Sequence, residues 1–203
     1  MRSMHVWRER LHRWFAPLAA RCPLSPNTVT LLALLLNVIA AVLLYRRMFL
    51  VAIAFITIGG LTDAFDGIVA RVQGKATRYG DFLDHFADRM SDFLVAAGWL
   101  LGSGVRVDIA VGVMIAIMLN GYVGTQIEAT WHERTYDTVG RGEFVLALVV
   151  YPIVSHILFT NGWEQLMYAG LRITEWMALL LVAFALLGIG QRLALASRLE
   201  RSQ

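Results

Sequence analysis

Cysteine is nearly absent from this chain. Cys22 is the only one in 203 residues, which excludes an internal disulfide and argues against a thiolate metal site. Charge is scarce too. Asp, Glu, Lys and Arg make up 16% of the residues against 58% apolar ones, and the mean hydropathy is +0.60. So little charge excludes the ordinary solvated surface of a soluble domain and implies an integral membrane protein. Lysine is rarer still: of 18 basic residues, only Lys75 is not arginine. The net charge of +3 is too small to mark a nucleic-acid partner, and none is expected. No apolar run leads to a small-residue cleavage site near the start, so no signal peptide is expected.

What the chain has instead is apolar runs of helical length. Residues 1–22 form a first region, basic and Trp-bearing. Met4, Trp7, Leu11, Trp14, Phe15 and Leu18 recur at helical spacing there, and Arg8, Arg10, Arg13 and His12 fall largely elsewhere. This pattern predicts an amphipathic helix lying in the membrane interface, with a packing face against the protein as the alternative. Residues 23–203 form the second region. Ser25 is placed to cap the first spanning helix, with Pro26 in its first turn. Spans are expected from there to about Tyr45, then over Met48–Ala70, Gly80–Leu101, Val107–Trp131, Glu143–Phe159 and Ile173–Ala196. Each is about 17–25 residues, enough to cross a bilayer. The fold class is therefore all-α: a six-transmembrane-helix bundle with an interfacial N-terminal helix.

Basic residues give the orientation. Thirteen of them fall in the N-terminal region, the loops 71–79 and 132–142, and the tail, whereas Arg46, Arg47, Arg106 and Arg172 fall on the other side. That asymmetry predicts a multi-pass protein of the cell membrane with both termini cytoplasmic.

The chemistry is concentrated in one stretch, DAFDGIVARVQGKATRYGDFLDHFAD, from Asp63 to Asp88. Asp63 and Asp66 are spaced i, i+3 near the end of the second span. Asp84 and Asp88 are spaced i, i+4 near the start of the third. On a helix each spacing puts both carboxylates on one face. All four are expected at the cytoplasmic leaflet, on either side of a loop carrying Arg71, Lys75 and Arg78. Two such pairs suit a hard divalent cation such as magnesium, which takes a few carboxylates together with substrate phosphates. Carboxylates in a membrane segment are costly enough to imply a function. Asp81, in the first turn of the third span, favours the helix N-terminus, and His85 points about 100° away from Asp84.

The filled positions are Asp63, Asp66, Gly67, Ala70, Arg71, Gly80, Asp84 and Asp88, in the pattern D-x-x-D-G-x-x-A-R, eight residues, G-x-x-x-D-x-x-x-D. This resembles the signature of the CDP-alcohol phosphotransferase family, whose members are six-helix membrane enzymes. The resemblance implies transfer of a substituted phosphoryl group, phosphatidyl or archaetidyl, from a CDP-linked lipid to a small hydroxyl acceptor, with release of CMP. It implies two divalent cations, Mg2+ or Mn2+, held by Asp63, Asp66, Asp84 and Asp88, with Asp88 also the catalytic base. It implies nucleotide contacts from Asn27, Asp63, Gly67, Ala70, Arg71 and Thr77, and a homodimer in the bilayer.

The acceptor is read from the later helices. Relatives that use inositol phosphate carry basic residues after the tyrosine of the fourth span. Here that stretch is Tyr122-Val123-Gly124-Thr125-Gln126, without a base. Gly140-Arg141-Gly142-Glu143 does resemble the basic-acidic turn before their fifth span. The expected acceptor is thus inositol phosphate or glycerol phosphate, bound by Arg141 and Arg134. Unphosphorylated inositol, serine or glycerol is the alternative. A divalent-cation transporter is the rival from another class, but it predicts acids at mid-membrane rather than beside a basic loop.

Overall fold

A computed structural model describes residues 15–131 and 141–201, with the side chains of 141–145 excepted. Its helices are α1 (Pro26–Tyr45), α2 (Phe49–Val72), α3 (Arg78–Gly102), α4 (Val107–Trp131), α5 (Arg141–Thr160) and α6 (Ile173–Arg201). Their ends follow from local chemistry. The Thr28 amide donates to Ser25 Oγ at 3.2 Å, so Ser25 caps α1 as the sequence predicts. Gly74, at φ +63, ends α2 while the Lys75 amide returns to the Ala70 carbonyl at 2.9 Å, a left-handed stop that favours glycine. Thr77 caps α3 by accepting the Gly80 amide at 3.0 Å.

The described residues are all-α apart from one feature that the sequence reading placed in a loop. Met167–Tyr168 pairs antiparallel with Leu171–Arg172. Ala169 and Gly170 both take positive φ, 50° and 81°, the conformation of a two-residue hairpin turn. The alanine hid this signal, because glycine or asparagine is the usual mark.

Four helices, α1, α2, α4 and α6, are long and apolar enough to cross a membrane. The six-span expectation therefore meets four candidates among the described residues, and the reason is visible in the other two. The first 15 residues of α3 carry its six Asp and Arg residues. The apolar part of α5 described in full is Leu146–Thr160. The protein is a multi-pass, all-α membrane protein.

The chain forms two compact units. The first holds the described residues up to Ile39 with Ala54–Ser91, and the second Ala40–Ile53 with the described residues from Asp92 onward. In the first, residues 15–20 are helical. Phe15 meets Phe65 edge-on at 5.9 Å, and Ala19 is buried with Ile68 and Val69. Gln73 Nε2 donates to both the Ala19 and Cys22 carbonyls at 2.9 Å. This part of the N-terminal region thus has a packing face on α2, the alternative to an interfacial one. Residues 1–14 lie outside the described residues.

In the second unit α4 packs along α6, burying Ala110, Val113 and Ala116 on one and Ala178, Leu181 and Ala185 on the other, the three- and four-residue steps of a helix face. The ends of α1 and α3 meet backbone to backbone. A β-carbon on Gly98 would fall 2.3 Å from the Ala41 carbonyl oxygen, and one on Gly102 2.1 Å from that of Leu44. Only glycine permits that approach.

Candidate metal and nucleotide site

The site lies in the first unit and is built by three helices. α2 contributes Asp63 and Asp66 one turn apart, and α3 contributes Asp84. One oxygen from each of these three carboxylates lies within 4.8 Å of the others. Asp66 is buried, whereas Asp63 and Asp84 are half-buried. Asp88, one turn further along α3 and half-buried, is outside this group of three, although its charge acts on Asp66. Three carboxylate oxygens from two helices form an all-oxygen donor set, the kind that suits Mg2+ or Mn2+.

α1 forms the third wall. Thr30 Oγ donates to Asp66 Oδ2 at 2.5 Å, and both side chains are buried. The sequence reading missed Thr30. The available signal was a hydroxyl about one turn from Asn27 in a mostly apolar span.

The remaining motif residues separate into two kinds. A β-carbon on Gly80 would lie 3.2 Å from both Asn27 Oδ1 and Thr77 Oγ1. Gly80 thus gives α1 and the start of α3 a close approach that a β-carbon would tighten, and Asn27 and Thr77 each have a structural contact there. Gly67 differs. A β-carbon on it would make ordinary contact, 3.5 Å, with the Arg71 guanidinium, so packing within the described chain does not demand glycine. Ala70 is half-buried and Arg71 is exposed. Also on α3, His85 Nε2 lies 3.9 Å from Asp81 Oδ1, a pair one turn apart that is not part of the group of three.

Of the predicted acceptor residues, Arg134 lies outside the described residues. Arg141 begins α5, and its side chain is outside them. The second unit presents another cation. The Arg192 guanidinium of α6 lies over Gly124 of α4, with Nε 3.3 Å from where a β-carbon would be. It donates through Nη1 to the Asn120 carbonyl at 2.8 Å and also to Asn120 Oδ1. The place where α4 lacks a side chain is thus filled by an arginine from α6, which no reading of α4 alone could find.

Comparison with known proteins gives a consistent picture. Residues 23–187 match the CDP-alcohol phosphatidyltransferase family. The archaetidylinositol phosphate synthase of Pyrococcus horikoshii is 32% identical over 150 residues, covering 73% of this chain and 78% of that one. Among solved structures, the phosphatidylinositol phosphate synthase of Mycobacterium tuberculosis with CDP-DAG bound superposes with a TM-score of 0.70, at 22% identity, over 90% of this chain and 92% of that one. The same enzyme in complex with manganese and citrate gives a TM-score of 0.69 at 25% identity, over 89% and 87% of the two chains.

Proposed function

The chain belongs to the CDP-alcohol phosphatidyltransferase family, and we propose that it transfers the lipid-bearing phosphoryl group of a CDP-linked lipid to a hydroxyl of inositol phosphate. Family membership decides for an enzyme over a cation transporter. The observation that carries the reaction is the convergence of Asp63, Asp66 and Asp84 from two helices. A CDP pyrophosphate brings roughly two negative charges, and beside these carboxylates it is tolerated only with cations between them. The donor set would hold divalent cations, two of them with Asp88, and when bound they supply neutralisation of the pyrophosphate and of the departing CMP oxygen.

The chain's own residues do the rest. Asp88 accepts the proton of the acceptor hydroxyl as its oxygen bonds to the lipid-side phosphorus and the bond to the CMP oxygen breaks. Gly67 and Ala70 leave room for the nucleotide to approach the backbone. Arg71 pairs with a phosphate through its planar fork. Asn27 and Thr77 add nucleotide contacts alongside their packing roles. The acceptor phosphate is bound by Arg141 and Arg134, and by Arg192, which supplies the cation that Gly124 lacks.

The protein works as a homodimer of six-span chains, with both termini cytoplasmic. The inositol-phosphate reading is supported by relatives named as archaetidylinositol phosphate and phosphatidylinositol phosphate synthases. An acceptor panel tests it. Purified protein with Mg2+ or Mn2+ and a CDP-linked lipid should release CMP with inositol phosphate and not with inositol. Turnover with inositol, serine or glycerol, and none with phosphate esters, would reject that acceptor and leave the family reaction standing.

A further inference from the structure

Although α1 is otherwise a lipid-compatible span, it carries a polar line: Asn27, Thr30 and Asn37. At about 100° per residue these fall within one sector of roughly 80°. Each meets the carboxylate-bearing helices. Asn27 Oδ1 abuts Gly80, and Thr30 Oγ bonds to Asp66. Asn37 Nδ2 donates to the Ala33 carbonyl at 3.1 Å and to Ser91 Oγ at 3.3 Å. Gly59 of α2 makes room for Asn37, since a β-carbon there would lie 3.0 Å from Asn37 Nδ2.

We propose that Thr30 is a positioning residue that holds the Asp66 carboxylate in its metal-binding orientation. This rests on the metal-site reading above. Thr30 Oγ lies 2.5 Å from Asp66 Oδ2 and 3.1 Å from the Pro26 carbonyl, and one hydroxyl proton serves one acceptor at a time. A helical threonine ordinarily gives its proton to the carbonyl four residues back. Here an ionised carboxylate competes, and a charge-assisted bond is the stronger of the two.

The donor is stiff, because a β-branched side chain in a helix has few χ1 states. It is also shielded from solvent, at 3% exposure, beside an Asp66 at 5%. Water therefore cannot readily take its place. With Oδ2 held by Thr30, the carboxylate no longer rotates freely, which fixes how it is presented to the group it forms with Asp63 and Asp84. Orientation of a ligand by a hydrogen bond from outside the coordination set is a general determinant of metal affinity.

The test is Mn2+ binding to purified protein without lipid substrate, followed by the electron paramagnetic resonance of free Mn2+. Thr30→Val, which keeps shape and removes the donor, should weaken Mn2+ about tenfold. Thr30→Ser, which keeps the hydroxyl, should stay within about threefold of wild type. In turnover assays Thr30→Val should need more Mn2+ for half-activation while recovering most of its kcat at saturating metal. A packing role alone would not produce that split. In an Asp66→Asn background Thr30→Val should weaken Mn2+ no further. Unchanged Mn2+ affinity in Thr30→Val, or equal loss in Thr30→Ser, overturns the proposal. Should Thr30→Val not fold, Thr30→Ala is read by the same criteria. Asp84→Asn separates the two levels. If it abolishes Mn2+ binding while Thr30→Val does not weaken it, only the role of Thr30 falls. If wild type binds no Mn2+, or Asp84→Asn binds it as tightly as wild type, both fall.

Discussion

α3 contributes to two polar regions that are built on opposite electrostatic plans. Its first half carries Asp84 and Asp88, with Asp84 in a group of three like charges from two helices. Its other end lies among arginines and hydroxyls. Arg47 Nε donates to the Gly102 carbonyl at 3.0 Å, and Arg172 Nη1 donates to the Gly104 carbonyl at 2.8 Å. Positive side chains thus meet the negative end of the helix dipole. Trp99 Nε1 donates to Ser155 Oγ at 2.9 Å, which lies 3.2 Å from Ser103 Oγ. Glu175 accepts the Arg172 amide at 2.8 Å and caps α6. Arg47 even takes a left-handed conformation, φ 62, held by its bond to Gly102 and by the Phe159 ring 4.7 Å away. In this second region opposite partners alternate, so the polar groups stabilise the fold. In the first, three carboxylates converge from two helices, and a cation bound among them would relieve their mutual repulsion. Concentrated like charge is the sign of function, and alternating charge the sign of architecture.

The largest effect should come from the first region. Asp66→Asn and Asp84→Asn should each cut CMP release to below about a tenth of wild type, a loss of several kcal/mol in transition-state stabilisation. Their thermal melts should stay close to wild type. Chelation of divalent metal should do the same to the unmodified protein, and activity should return with Mg2+ or Mn2+. A well-folded mutant that keeps its rate would erase the contrast.

The second region should respond in the opposite way. Ser155→Ala removes the partner of two buried groups, Trp99 Nε1 and Ser103 Oγ. It should lower stability by about 1–3 kcal/mol, with turnover per folded molecule unchanged. Gly102→Ala should be worse tolerated in the same assay, because its β-carbon meets backbone that cannot step aside.

Arg141→Ala sharpens the comparison on the substrate side. Its acceptor KM should rise about tenfold or more, equivalent to roughly 1.4 kcal/mol, with the KM for CDP-lipid little changed. Asp88→Asn should lose turnover more than nucleotide affinity. Equal loss of both would make it a ligand without a proton-accepting role. The smallest effect belongs to Asp108→Asn. The Arg106–Asp108 pair is close, at 2.5 Å, but exposed, so solvent screens it and neither melt nor turnover should move.

Most of the first region was legible in the chain, because its information is local. The i, i+3 and i, i+4 spacings put Asp63 with Asp66 and Asp84 with Asp88 whatever the helices pack against. Ser25 signalled the start of α1 through its side-chain hydroxyl. Little of the second region was legible. Arg47, Gly102, Ser155 and Arg172 come together from four separate stretches, and no periodicity links them. The hairpin after α5 was hidden by an alanine in a glycine-like conformation.

The sequence by itself determined the membrane setting, six helices close to their observed ends, and a carboxylate motif at fixed intervals. These follow from hydropathy and helical repeat, which act over a few turns. Only the tertiary structure decided that Asp63, Asp66 and Asp84 form a closer group than all four aspartates. Only it separated Gly80, where a β-carbon would crowd Asn27 and Thr77, from Gly67, where it would make ordinary contact. It also brought Thr30 to Asp66 and Arg192 to Gly124. Those pairings join residues 36 apart and 68 apart, and such contacts depend on which helix faces meet and which rotamers the packing permits.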